Sequence, residues 1–197
     1  MSQILQSLQK TLLAGLVLLI VIVLIAGAVS GSPIQLTPVW WAFFFRWLHV
    51  TCGVMWIGLL WYFNFVQIPS MPKIPDEQKP AISKVIAPTA LFWFRWAALA
   101  TVVTGLIVAS LQGYLHAALR LQIGFAAIGI GMWLALIMAF NVWFVIWPNQ
   151  KKALGIVQVE PAEKAAAARM AMLFSRTNTM LSIPMLFMMS AQSHGGL

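Results

Sequence analysis

Long apolar runs separated by polar, proline-bearing or glycine-bearing stretches set the plan of this chain. The first, 11–29, is unbroken and has about the ~20 residues that a membrane-crossing helix needs. Runs at 39–66, 90–111, 122–147 and 176–193 follow. The pattern predicts an all-α polytopic integral membrane helix bundle with five transmembrane helices. The second run exceeds the minimum length and is expected to tilt or project beyond the lipid. Between the second and third runs, Pro69, Pro72, Pro75, Pro80 and Pro88 are expected to break any long helix, and Pro148 with Asn149 to Lys152 to end the fourth. Glu160-Pro161-Ala162-Glu163 has the proline and acids of a helix start. The alanine-rich helix it opens is expected to lie at the interface or lead into the last span, where Pro184 predicts a kink. Gly124, Gly129 and Gly131 in the fourth run are expected to allow close helix approach.

Two regions follow: 1–38, an N-terminal anchor helix and outer loop, and 39–197, a membrane domain. Ala26-Gly27-Ala28 has the small residues of a signal-peptidase site, but the run before it reads as a retained anchor.

Composition narrows the class. At 61% hydrophobic and 8% charged, the chain is not an ordinary soluble domain. The formal charge of +8 comes from scattered cations beside apolar runs, which reads as a topology signal and excludes a nucleic-acid face; membrane lipid is the expected partner. Lys and Arg in successive flanks and loops number one, none, three, one, five and none. This alternation predicts a cytoplasmic N-terminus and an outward C-terminus, and places His49, His116 and His194 in the outer half or beyond. Trp40, Trp41, Trp143 and Trp147 fall at predicted span ends, as an interfacial belt requires. Cys52 is the sole cysteine, so the chain has no internal disulfide, CxxC metal site or CxxCH haem attachment.

Candidate chemistry concentrates in 46–67, RWLHVTCGVMWIGLLWYFNFVQ. At helical spacing Arg46, His49, Gly53, Trp56, Leu60, Asn64 and Gln67 share one face, which should meet protein or a cofactor while the rest meets lipid. His49 has two readings: a neutral imidazole hydrogen-bonded to a neighbouring helix, or a ligand to haem iron. Gly53, one turn beyond, would leave room for a planar ligand. His194 is the candidate second axial ligand, and His116 reads as a solvated loop residue. Arg46 reads either as a cation reaching outer headgroups or as a partner for a haem propionate. Arg95 is expected to reach the inner surface. Met180, Met185, Met188 and Met189 read as packing or thioether ligands, and Asn178, Thr179 and Ser182 as cross-helix hydrogen-bonding groups. The four acids, Asp76, Glu77, Glu160 and Glu163, lie on the predicted inner side, away from the histidines, so neither a Ser-His-Asp triad nor a carboxylate dyad is available. Any chemistry should be redox, carried by a cofactor.

RWLHVTCGVMWIGLLWYFNFVQIP, FNVWFVIWPNQKK and SRTNTMLSIPMLFMM, in this order, resemble the membrane N-terminal domain of bacterial membrane-bound urate oxidases over roughly residues 40–194. In that family a cytochrome c module commonly follows, which implies electron transfer on the outer side of the bacterial inner membrane. No CxxCH occurs here, so the expectation is action with a separate cytochrome c, or as a subunit stabilising a larger complex. WLHV in a tryptophan-rich helix more distantly resembles haem-binding membrane protoporphyrinogen oxidases, which implies His49 as a haem ligand. Three functional expectations result. The first is a membrane redox protein or subunit binding haem b through His49 and His194, with Arg46 and Gly53 at the site. The second is a cofactor-free accessory subunit of an oxidase, oxygenase or photosynthetic complex. The third is an enzyme like urate oxidase or protoporphyrinogen oxidase.

Overall fold

The computed structural model describes residues 2–31 and 34–196, with the side chains of Ser193 and His194 outside that description. Among the described residues there is no strand, as the apolar periodicity predicts. The chain divides into two units, Met1–Trp40 and Trp41–Leu197.

In the first unit a helical turn, Ser2–Leu5, precedes α1 (Leu8–Val29). Thr11 Oγ1 donates to the Ser7 carbonyl at 3.0 Å, helping to fix the start of α1. The helix ends at Ser30 and at Gly31, whose φ of 64° suits a residue without a side chain. No residue of α1 is buried.

The second unit is built on α2 (Pro38–Lys73), α3 (Lys79–Leu111), α4 (Ala126–Ala153) and α5 (Pro161–His194), with a short helix, Leu115–Leu119, between α3 and α4. The helices α1 to α4 are long and apolar enough to cross a membrane. The expected interfacial helix and fifth span are one continuous helix, α5, which is not among those four: its first half carries Glu163, Lys164, Arg169 and Arg176, and its second half holds several polar residues, Asn178, Ser182 and Gln192 among them. Its start at Pro161 is where the sequence placed it, with Pro in the first turn and Glu163 following.

The prolines act differently from expectation. Helix α2 runs through Pro69, α3 includes Pro80 and Pro88, and α4 passes Pro148. Pro80 lies in the first turn of α3, whereas a stretch of π-helix comes immediately before the other three: Tyr62–Gln67, Ile82–Ile86 and Asn141–Ile146, with proline at the second position after each. A proline ring clashes with the carbonyl four residues earlier, and here that carbonyl lies inside the widened turns, which make room for the ring. The helices therefore continue past Pro69, Pro88 and Pro148, while the expected break between the second and third runs narrows to 74–78, around Pro75, and the fourth ends at Ala153, directly after Asn149 to Lys152. Helix α4 in turn begins at Ala126, after a turn in which Gly124 has φ of 84°.

The core joins α2 to α5 through Trp56, Leu60, Phe94, Met138, Val142 and Met185. Phe63 of α2 meets Phe94 of α3 edge-on at 5.8 Å. Gly131 brings α4 close to α5: a Cβ there would lie 3.2 Å from the Met189 backbone nitrogen. Gly129 likewise faces the Ala118 carbonyl with no room for a side chain. The expected close approach is thus present at Gly129 and Gly131, whereas Gly124 lies in the turn before α4, where a Cβ would meet nothing within 4 Å. Val54, Phe65, Trp93, Phe144 and Ile183 face outward, whereas Asn64, Arg95, Asn141, Ser175, Asn178 and Ser182 are buried. A surface rich in large apolar side chains around an apolar core that also holds polar ones is not the arrangement of a water-soluble bundle.

Candidate functional site

The predicted stripe of α2 does face inward. Trp56, Leu60 and Asn64 are buried and His49, Gly53 and Gln67 half-buried, while Val50, Val54, Met55, Phe65 and Val66 are exposed. Polar groups at its lower end bind α5. Asn64 Nδ2 donates to Ser175 Oγ at 2.8 Å and to the Leu60 carbonyl at 2.9 Å, and Trp61 Nε1 donates to Ser182 Oγ at 3.0 Å. On α4, Asn141 Nδ2 donates to Asn178 Oδ1 at 2.9 Å, and Asn178 Nδ2 returns a bond to the Met138 carbonyl at 2.9 Å. Ser175, Asn178 and Ser182 are three and four residues apart, so α5 presents them as one stripe. The cross-helix role expected of Asn178 and Ser182 is therefore found; Thr179 Oγ1 instead donates within its own helix, to the Ser175 carbonyl at 3.1 Å. These bonds tie helices together and leave no open chemistry at Asn178.

His49 stands farther along α2. Its Nδ1 lies 2.8 Å from the Thr101 carbonyl of α3. A carbonyl only accepts, so Nδ1 carries the hydrogen and Nε2 keeps its lone pair. The bond uses one ring nitrogen and leaves the other with no hydrogen-bond partner among the described residues. The glycine beside this ring is Gly105 of α3: a Cβ there would lie 2.7 Å from His49 Cε1 and 2.9 Å from Nδ1. Gly53, read from the sequence as the residue making room, would with a Cβ meet only Thr101 Cγ2 at 3.8 Å. The correction is one of helix packing: the glycine one turn along the same helix lies beside the neighbouring helix, and the glycine across the interface faces the ring.

Arg46 is exposed, one turn from His49, and its charge acts on Tyr114. Burial raises the Tyr114 phenol above its ordinary pKa, and the Arg46 cation opposes that shift. Tyr114 also stacks on Phe125 at 5.9 Å. His116 is exposed, as the loop placement implied. His194 closes α5, but its side chain lies outside the described residues. Among the described residues no three His, Cys, Asp or Glu come together as a metal-binding group.

Arg95 does not extend outward as expected. It is 8% exposed and folds over the Trp147 ring, with Cζ 3.3 Å from the ring centroid. Its Nε and Nη1 are buried without an acceptor. Trp143, another residue expected in the interfacial belt, packs edge-on against Trp96 at 5.5 Å.

Residues 121–196 match the family described as "Urate oxidase N-terminal". The match bears out the sequence resemblance over the second half of its extent. It takes in Asn141, Trp147, Asn178 and Ser182; His49, Arg95 and Thr101 precede it. No curated protein and no solved structure matches the chain. Reading the sequence missed Thr101, Gly105 and Trp147 as partners. The available signal was Ala98, Thr101 and Gly105, small residues at three- and four-residue spacing, which fits a close-packed face.

Proposed function

We propose that the chain is an integral membrane redox protein or redox subunit that binds b-type haem through His49. The observation that carries this reading is the 2.8 Å bond from His49 Nδ1 to the Thr101 carbonyl. Such a bond fixes the tautomer and ring orientation and makes Nε2 the more basic donor, as backbone partners do for metal-bound imidazoles. One oriented imidazole suits an iron whose other ligands come from a macrocycle better than a metal held by side chains alone. Haem, when bound, supplies one-electron transfer. The chain supplies the rest: Gly105 leaves the imidazole its space, Trp56 and Leu60 exclude water further along α2, and exposed Arg46 is the propionate partner. His194 would supply a second ligand to the iron, and Gly53 lies against Thr101 of α3 beside the site.

In this reading α1 to α4 and the C-terminal part of α5 make five spans in the bacterial inner membrane, with the N-terminus cytoplasmic and the C-terminus periplasmic. A separate cytochrome c on the outer side would be the electron partner. The urate oxidase N-terminal match supports a place in an oxidase system, without making this chain itself the oxidase. A second reading, a cofactor-free accessory subunit, is favoured by α1, a 22-residue apolar helix of which nothing is buried.

The visible spectrum of the purified chain separates the two readings. His49→Ala should abolish the Soret band and His116→Ala should leave it intact, while His194→Ala should convert a six-coordinate spectrum to a five-coordinate one. An unaltered band in His49→Ala rejects the ligand assignment, and a wild-type chain without haem favours the accessory subunit. Reporters fused after Leu197 and near Lys79 should be active outside and inside the cytoplasm respectively; the reverse result would invert the orientation.

A further inference from the structure

We propose that the α3–α4 face binds an anionic glycerophospholipid, its phosphate held by Arg95 and Lys151 and one acyl chain lying in the groove beside Trp143. This rests on membrane insertion and is independent of haem.

Two cations share one aromatic ring. Arg95 Cζ lies 3.3 Å from the Trp147 centroid and Lys151 Nζ 5.7 Å from it. The ion pairs among the described residues, Lys79 with Asp76 and Lys152 with Glu163, involve neither cation. The ring attracts both charges but cannot accept the in-plane hydrogen bonds of a guanidinium, so Nε and Nη1 of Arg95 remain buried without an acceptor. A phosphate offers what is missing: oxygens that take paired guanidinium bonds, and a negative charge between two positive ones.

The second observation identifies what carries the phosphate. A groove of about 430 Å³ between α3 and α4 is lined by Leu99 and Val102 on one side and by Leu136, Ala139, Phe140, Trp143 and Phe144 on the other. Arg95, Leu99 and Val102 are four and three residues apart; Leu136, Phe140, Trp143, Trp147 and Lys151 are spaced by three or four. On α3 Arg95 stands one turn from Leu99; on α4 Trp147, which carries both cations, follows the groove residue Trp143 by four positions across the widened turns Asn141–Ile146, so the cations stand just beyond one end of the groove. From Leu136 to Phe144 the groove follows about 12 Å of helix at ~1.5 Å per residue. A free phosphate would use the cations and leave the groove empty, whereas a lipid uses both. Basic pockets between membrane helices are suited to such headgroups.

The test is native mass spectrometry of the full chain released from detergent and titrated with phosphatidylglycerol, phosphatidylcholine of the same acyl chains, or inorganic phosphate. Phosphatidylglycerol should be retained on the order of tenfold more tightly than phosphatidylcholine, and inorganic phosphate should not displace it at equal concentration. Lys151→Gln should weaken phosphatidylglycerol roughly fivefold. Arg95→Gln should weaken it further, and Ala139→Trp, which fills the groove, should reduce retention of both lipids. Should Arg95→Gln fail to fold, Lys151→Gln and Ala139→Trp decide the matter. Equal retention of the two lipids, or a preference unchanged in both of those variants, overturns the proposal. Displacement by inorganic phosphate also overturns it and leaves a plain anion site. Recovery of the chain in the membrane fraction is scored separately, so failed insertion is distinguished from failed lipid selectivity.

Discussion

Asn178 and Arg95 are both buried polar side chains facing other helices of one bundle, yet they differ in what the chain provides for them. Asn178 is wholly buried; its Oδ1 accepts from Asn141 and its Nδ2 donates to the Met138 carbonyl. Arg95 is almost as buried, but Nε and Nη1 have no acceptor, and its closest described partner is a tryptophan face. An amide is neutral and satisfied by a few bonds, so neighbouring helices supply all it needs. A guanidinium has five donors and a full charge, which an aromatic ring meets only in part. His49 lies between these cases, with one ring nitrogen bonded to Thr101 and the other free. Asn178, with both amide atoms bonded, holds α4 to α5, while Arg95 and His49, each with ring or guanidinium nitrogens left over, are the groups to which the proposed ligands are assigned.

The comparison is broken most directly at the completed end. Asn178→Leu removes both bonds and leaves the buried Asn141 amide without its acceptor, so unfolding in detergent should show a loss of about 2–3 kcal/mol. An unchanged midpoint would mean that the asparagines do not hold α4 to α5. Next in size is Gly105→Ala. Its Cβ would fall 2.7 Å from His49 Cε1, so the ring must move, at about 1–3 kcal/mol, and any haem absorbance should change with it. Gly53→Ala sharpens the contrast: its new Cβ makes ordinary contact at 3.8 Å, and stability should stay within about 0.5 kcal/mol. Equal effects at the two glycines would remove the distinction drawn between them.

Smaller effects are expected outside the bundle. Lys152→Gln breaks the partly exposed pair with Glu163 and should cost at most about 1 kcal/mol, less in high salt. The Lys79 hydrogen bond and charge hold the fully exposed Asp76 carboxyl below its usual pKa. A depressed pKa contributes stability above the unfolded value, which is lost as pH falls through the folded one. Thermal midpoints followed downward through the carboxylate range should therefore show a shallow decline that Asp76→Asn reduces. A steeper decline in that variant would contradict the sign.

Much of this architecture is local and was legible in the residues. Apolar length and helical period marked the long helices, the inward face from His49 to Asn64, and the start of α5 at Pro161, because each depends only on neighbours within a few turns. Pro75 does sit in a break, but helix continues past Pro69, Pro88 and Pro148 because a proline forbids one hydrogen bond and one packing geometry rather than helix as such; a widened turn before each of the three removes the clash. Only tertiary structure decided that Gly105 rather than Gly53 faces His49, that Thr101 supplies the carbonyl, and that Arg95 folds onto Trp147. Those pairings join residues some fifty positions apart on different helices. The period of one helix sets which side chains share a face; the rotation and depth at which a second helix packs against it set which of them touch.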